Sequence, residues 1–116
     1  MRYLPMNFGF STADGEKVAL QFDGGDLTLT FTDWQEHLVR TVFRDVLAFR
    51  WGQEATSDVP RDDTTYEVTE SAELSRELLL NGIRGEHTYA HYKLCFNACG
   101  VLDVLCRRVP SIEECR

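Results

Sequence analysis

The chain has 116 residues, 43% apolar and 27% charged, with three prolines; this describes a single domain over residues 1–116, because two would each be too small to bury an adequate core. Its longest apolar runs, such as Leu78-Leu79-Leu80, fall far short of the ~20 residues that cross a bilayer as a helix. Nineteen acids against twelve bases give a formal charge of −7, so the chain as a whole repels phosphate backbones and anionic lipid, and neither nucleic acid nor membrane is an expected partner.

Phe8-Gly9-Phe10 reads as an edge strand ahead of the turn-rich stretch Ser11 to Gly15. From Lys17 to Thr32 apolar and polar residues alternate on both sides of Gly24-Gly25. A two-residue loop there pairs Phe22 with Leu27, Leu20 with Leu29 and Val18 with Phe31, so every large apolar residue falls on one face. Asp33 to Trp51 reads two ways. Val39, Val42, Phe43, Val46 and Leu47 recur at helical spacing, with an Asp33/Glu36 capping box and Gly52 as a stop. The β-branched and aromatic content argues instead for a turn over Asp33 to His37 followed by one long, bulged strand, the reading taken here.

Thr64 to Thr69 reads as a short strand. Ser71 then caps a helix running to about Leu80, with Leu74 and Leu78 one turn apart, Leu79 widening the apolar stripe and Asn81-Gly82 as the stop. The terminal hairpin is expected to turn on Ala98-Cys99-Gly100, which pairs Phe96 with Leu102, Leu94 with Val104 and Tyr92 with Cys106, and sets Cys95 opposite Asp103. Val109-Pro110 ends it. The expected fold class is α+β: a mainly antiparallel sheet of about six strands in consecutive hairpins, with one amphipathic helix on one face.

The N-terminus offers no continuous apolar stretch for a secretory signal, so a cytoplasmic protein is expected. Cys95, Cys99, Cys106 and Cys115 are then reduced thiols, and they form no Cys-x-x-Cys pair. His87, His91, Cys95 and Cys99 recur every four residues, as a metal-binding helix face would. On a strand, however, four residues span ~13 Å, and one ion cannot gather them. No metal and no cofactor is expected. The same spacing separates His91 from Cys95 as base and nucleophile, although His37 could fold against either. Asp62-Asp63 and Glu113-Glu114 read as solvated charge, and no Gly-rich phosphate loop or Gly-x-Ser-x-Gly is present. The expectation is a protein that is not an enzyme.

The negative charge is concentrated. Glu54, Asp58, Asp62, Asp63, Glu67, Glu70, Glu73 and Glu77 are opposed only by Arg61 and Arg76 between Gln53 and Glu77, and Trp51 stands beside them as an aromatic anchor. Together they form the expected docking surface for a basic protein. The phrases Val42-Phe43-Arg44-Asp45-Val46-Leu47-Ala48-Phe49-Arg50-Trp51 and His91-Tyr92-Lys93-Leu94-Cys95-Phe96-Asn97-Ala98-Cys99-Gly100-Val101-Leu102-Asp103-Val104-Leu105 resemble small bacterial proteins of uncharacterised families. Some of these are grouped with the immunity proteins of polymorphic toxin systems, of the kind called immunity protein 50. The resemblance covers a bit over half the chain and carries no catalytic or ligand signature. It implies an antiparallel sheet with one helix that acts by binding, and so a non-enzymatic domain that neutralises a basic toxin or effector. The alternatives are a small-ligand protein or enzyme with a pocket between sheet and helix, and a structural domain that self-associates as a homodimer.

Overall fold

The computed structural model describes residues 2–52, 59–84, 88–97 and 99–109. In chain order the elements are β1 (Arg2–Pro5), β2 (Glu16–Asp23), β3 (Asp26–Thr32), β4 (Leu38–Phe43), β5 (Ala48–Gly52), β6 (Thr65–Thr69), α1 (Ala72–Leu80), β7 (Tyr89–Phe96) and β8 (Gly100–Arg107). The strands form two antiparallel sheets, β1-β6-β7-β8-β5 and β2-β3-β4. The fold is therefore α+β and mainly antiparallel, with eight strands in two sheets among the described residues rather than about six in consecutive hairpins. Among the described residues no helix is long and apolar enough to cross a membrane.

The Gly24-Gly25 hairpin forms as its alternation predicts, with Phe22 opposite Leu27 and Leu20 opposite Leu29. Both glycines have positive φ, 60° and 85°, as a two-residue hairpin loop needs. The third expected pair, Val18 with Phe31, does not form. A bulge lies between Glu16 and Ala19, where Lys17 takes the left-handed region at φ 54°, and Glu16 rather than Val18 meets the end of β3. The Phe8 to Phe10 stretch is likewise not a strand. Its rings pack edge-on against the core, Phe8 on Tyr92 at 5.0 Å and Phe10 on Phe31 at 5.5 Å, while the edge strand is β1, paired with β6.

Asp33 to Trp51 is extended, but as two strands in different sheets. β4 pairs with β3 and β5 pairs with β8. Asp45, at φ 49°, turns the chain between them. Val46 N–H then donates to the Gly25 carbonyl (2.7 Å) and Leu47 N–H to the Leu105 carbonyl (2.7 Å), so the link is stitched to both sheets as it crosses.

The core lies between the sheets: Leu27, Leu29 and Phe31 of β3 and Phe43 of β4 face Tyr92, Leu94 and Phe96 of β7 and Leu102, Val104 and Cys106 of β8. Phe31 and Phe96 meet edge to face, 4.9 Å between centroids and 74° between planes. Full burial of such a side chain contributes about 1.5–3 kcal/mol. Gly15 fits beside this pair because a Cβ there would stand only 3.0 Å from the Phe96 ring.

The terminal hairpin differs from the expected register by two residues. Phe96 pairs with Gly100, Leu94 with Leu102, Tyr92 with Val104 and Ala90 with Cys106, so the loop is 97–99. A two-residue slip leaves every side chain on its own face, so burial does not distinguish the two registers. The observed one is closed by Cys99 N–H donating to the Phe96 carbonyl (2.9 Å) and by the Asn97 amide bonding Asp14 (3.1 Å).

Helix α1 begins and ends where its caps predict. Ser71 Oγ accepts the Leu74 N–H at 3.1 Å, and Gly82, at φ 64°, follows the Asn81 C-cap. Leu78 is buried, but Leu79 is 82% exposed. At about 100° per residue it points away from the Leu74/Leu78 stripe rather than widening it.

Candidate functional site

The outer face of the larger sheet carries charge where the inner face is apolar, because Lys93 and His91 alternate with Tyr92 and Leu94 along β7. The register sets Lys93 opposite Asp103, and Asp103 opposite Arg50 of β5, so three adjacent strands present a row of cation, anion and cation. Lys93 Nζ lies 3.3 Å from Asp103 Oδ1 and Arg50 Nη2 lies 3.3 Å from Oδ2. Arg50 also reaches up to α1, holding Glu73 at 3.2 and 3.3 Å. The Asp103 side chain is 8% exposed. Burial pushes its pKa up, but the His91 hydrogen bond and the charges of Lys93 and Arg50 outweigh it and hold the carboxyl below its ordinary value.

His91 links this row to the helix. Its Nε2 lies 2.7 Å from Asp103 Oδ1 and its Nδ1 lies 2.7 Å from Ser71 Oγ, and all three residues are buried. In the neutral ring the bonding fixes the tautomer. Asp103 only accepts, so Nε2 carries the proton and donates to it; Nδ1 then accepts from the Ser71 hydroxyl, while Ser71 Oγ accepts from Leu74 N–H. Serine, imidazole and carboxylate stand in the order that polarises a hydroxyl. Two grooves flank the helix above this chain. One, of about 260 Å³, is bounded by Val68, Ser71, Leu74, Leu78 and His91. The other, of about 160 Å³, lies between α1 and β5 and is bounded by Phe49, Arg50, Glu73, Glu77 and Asp103.

The residues expected to form the docking surface are spread by the fold. Trp51 faces inward, half-buried, 6.0 Å from Phe96. Asp63 is held by Arg61 at 3.0 Å, Glu67 by both carboxylate oxygens on Arg108 at 2.8 Å, and Glu73 by Arg50. Asp62 and Glu70 are exposed and Glu77 is half-exposed. Glu54 and Asp58 lie outside the described residues, as do His87, Cys115, Glu113 and Glu114. His37 stands exposed on the β3–β4 turn, 3.8 Å from Asp33.

Cys95 does not face Asp103, as expected of it, but pairs with Val101 in a small cluster with Tyr66. Burial pushes its thiol up to about 11 and that of Cys106 up to about 12. Among the described residues no group of three or more His, Cys, Asp or Glu is arranged to hold an ion. Comparison with family models, curated proteins and solved structures finds no match to this chain.

Ser71, His91 and Asp103 escape a spacing-based reading because they are 20 and 12 residues apart. One signal was available. Lys93 and Asp103 are charged residues inside otherwise apolar hairpin strands, and charge buried in a sheet demands partners.

Proposed function

We propose that this chain is a protein-binding domain that docks a basic partner through the exposed flank of α1, with an immunity protein covering a cationic toxin or effector as the fitting role. The observation that carries the reading is an acidic stripe ending in an exposed leucine. Glu73 and Glu77 follow one another at helical spacing on α1, and Leu80, 71% exposed, lies on the same side one turn further on.

Glu77 is informative because it does nothing for the helix. It sits in the last turn, where α1 has no basic residue and where the macrodipole disfavours an anion, and it stands four residues from a like charge, which costs a few tenths of a kcal/mol. A cationic surface laid on the stripe relieves that repulsion, and Leu80 supplies desolvated contact beside it. With −7 on the whole chain, the approach is steered by charge and weakens as salt rises.

The test is affinity capture from a lysate of the source cell, comparing the natural chain with Glu73→Lys/Glu77→Lys and with Leu80→Ser. The expected result is a basic protein retained at low salt, released as salt increases and lost with either variant. Retention of the same proteins by both variants, or capture of none, defeats the reading.

A further inference from the structure

The other flank of α1 carries a different chemistry. We infer that Ser71 is a nucleophilic hydroxyl and that the groove beside it takes short-chain carboxylic esters. This goes beyond the docking reading and does not rest on it.

Three observations converge. With the ring neutral, the Ser71 hydroxyl donates to Nδ1 of His91 at 2.7 Å, and the opposite ring nitrogen is anchored 2.7 Å from Asp103. A general base within hydrogen-bond reach of a hydroxyl, itself oriented by a third group, is the arrangement that activates a serine. Ser71 is also the N-cap of a nine-residue helix; its Oγ takes the Leu74 N–H, and the positive end of the helix dipole favours negative charge at the serine. Finally, Ser71 and His91 both border the groove of about 260 Å³, whose wall includes Val68, Leu74 and Leu78. Those three are a short apolar part of a lining that also holds Glu67, Glu70, Ser75 and Arg108, and they suit a small acyl chain with its carbonyl at the serine.

In the reaction, Ser71 Oγ bonds to the acyl carbon while its proton passes to His91 Nδ1. The carbon–oxygen bond to the alcohol breaks, and the alkoxide leaves with the proton from His91. Water then attacks the acyl carbon as its proton passes to His91, the acyl carbon–Oγ bond breaks, and His91 returns the proton to Ser71 Oγ, releasing the carboxylic acid. Nothing is oxidised or reduced. Asp103 is a positioning residue that keeps the proton on Nε2, and Lys93 and Arg50 keep Asp103 ionised.

The experiment treats the folded chain with a fluorophosphonate probe and maps the adduct by peptide mass, alongside turnover of p-nitrophenyl butyrate. The expected adduct is on Ser71. Its rate of formation falls about 100-fold in His91→Gln, with Asp103→Asn altering the pH profile. Absence of an adduct on natural Ser71, or an adduct there without turnover of the ester, overturns the proposal. Both outcomes are read on the natural chain, so they stand even where a variant fails to fold.

Discussion

Asp103 is the carboxylate on which the outer face of the larger sheet depends, and Asp103→Asn isolates its charge without changing its shape. The substitution leaves Lys93, buried to the same degree, facing a neutral amide, and it replaces the charged acceptor of the His91 bond. Removing one member of a buried pair costs about 3–5 kcal/mol, against a total of about 5–15 kcal/mol for a domain of this size. Asp103→Asn is therefore expected to remove about a fifth or more of the stability, and the urea midpoint, followed by tryptophan fluorescence, drops by roughly 2 M for slopes of about 1–3 kcal/mol per M. The pH dependence follows from the lowered folded pKa. The contribution is fully present above the unfolded carboxyl value near ~3.9, and it is lost as pH falls through the lower folded value. The natural and Asp103→Asn curves should differ at neutral pH and converge in strong acid. Adding Lys93→Met to Asp103→Asn removes the orphaned cation and should recover about 2 kcal/mol. A loss under about 1 kcal/mol at pH 7, or a double variant no better than the single one, refutes the reasoning that the charge of Asp103 is what holds this face.

Gly100→Ala should cost several kcal/mol in chemical denaturation, since a Cβ there would strike the Gly52 carbonyl and stand 2.8 Å from the Trp51 ring at a φ of 151° that side chains avoid. Ser71→Ala removes both the helix cap and the acceptor's partner on His91, and should lower stability by about 1–2 kcal/mol; Ser71→Thr should restore most of it, because threonine also caps. Iodoacetamide at pH 8, read by peptide mass, should leave Cys95 and Cys106 unmodified until the chain unfolds, since their thiols stay protonated up to about 11 and about 12, whereas partly exposed Cys99 reacts in the native state. Native-state alkylation of Cys95 would mean that its strand opens far more readily than this packing allows.

The legible parts of the fold were those in which local chemistry and tertiary burial agree. Alternation about Gly24-Gly25 specifies the β2–β3 hairpin, and Ser71 with Asn81-Gly82 specifies both ends of α1. β1 was missed because Arg2-Tyr3-Leu4-Pro5 is short and ends in proline; only pairing with β6, more than sixty residues away in the chain, makes it a strand. Val39 to Leu47 carries a helical period by accident of crossing from one sheet to the other at Asp45. The candidate site turned on the smallest ambiguity, the two-residue slip in β7–β8. One register opposes Asp103 to a thiol and makes it a nuisance. The other opposes it to Lys93, brings His91 onto its carboxylate and ties both to the helix cap. Hydrophobic patterning cannot tell these apart, because both keep the same residues inside; pairing the buried charges would have.

The kink at Lys17 bears on how this molecule behaves when crowded. β2 forms one rim of the smaller sheet, and a straight rim offers its backbone to any passing extended chain. Here the ladder is interrupted by a residue in left-handed geometry bearing a cation, so a visiting strand loses register after a few bonds. Excising that single residue should straighten the rim and favour strand addition, read as a rise in light scattering with concentration.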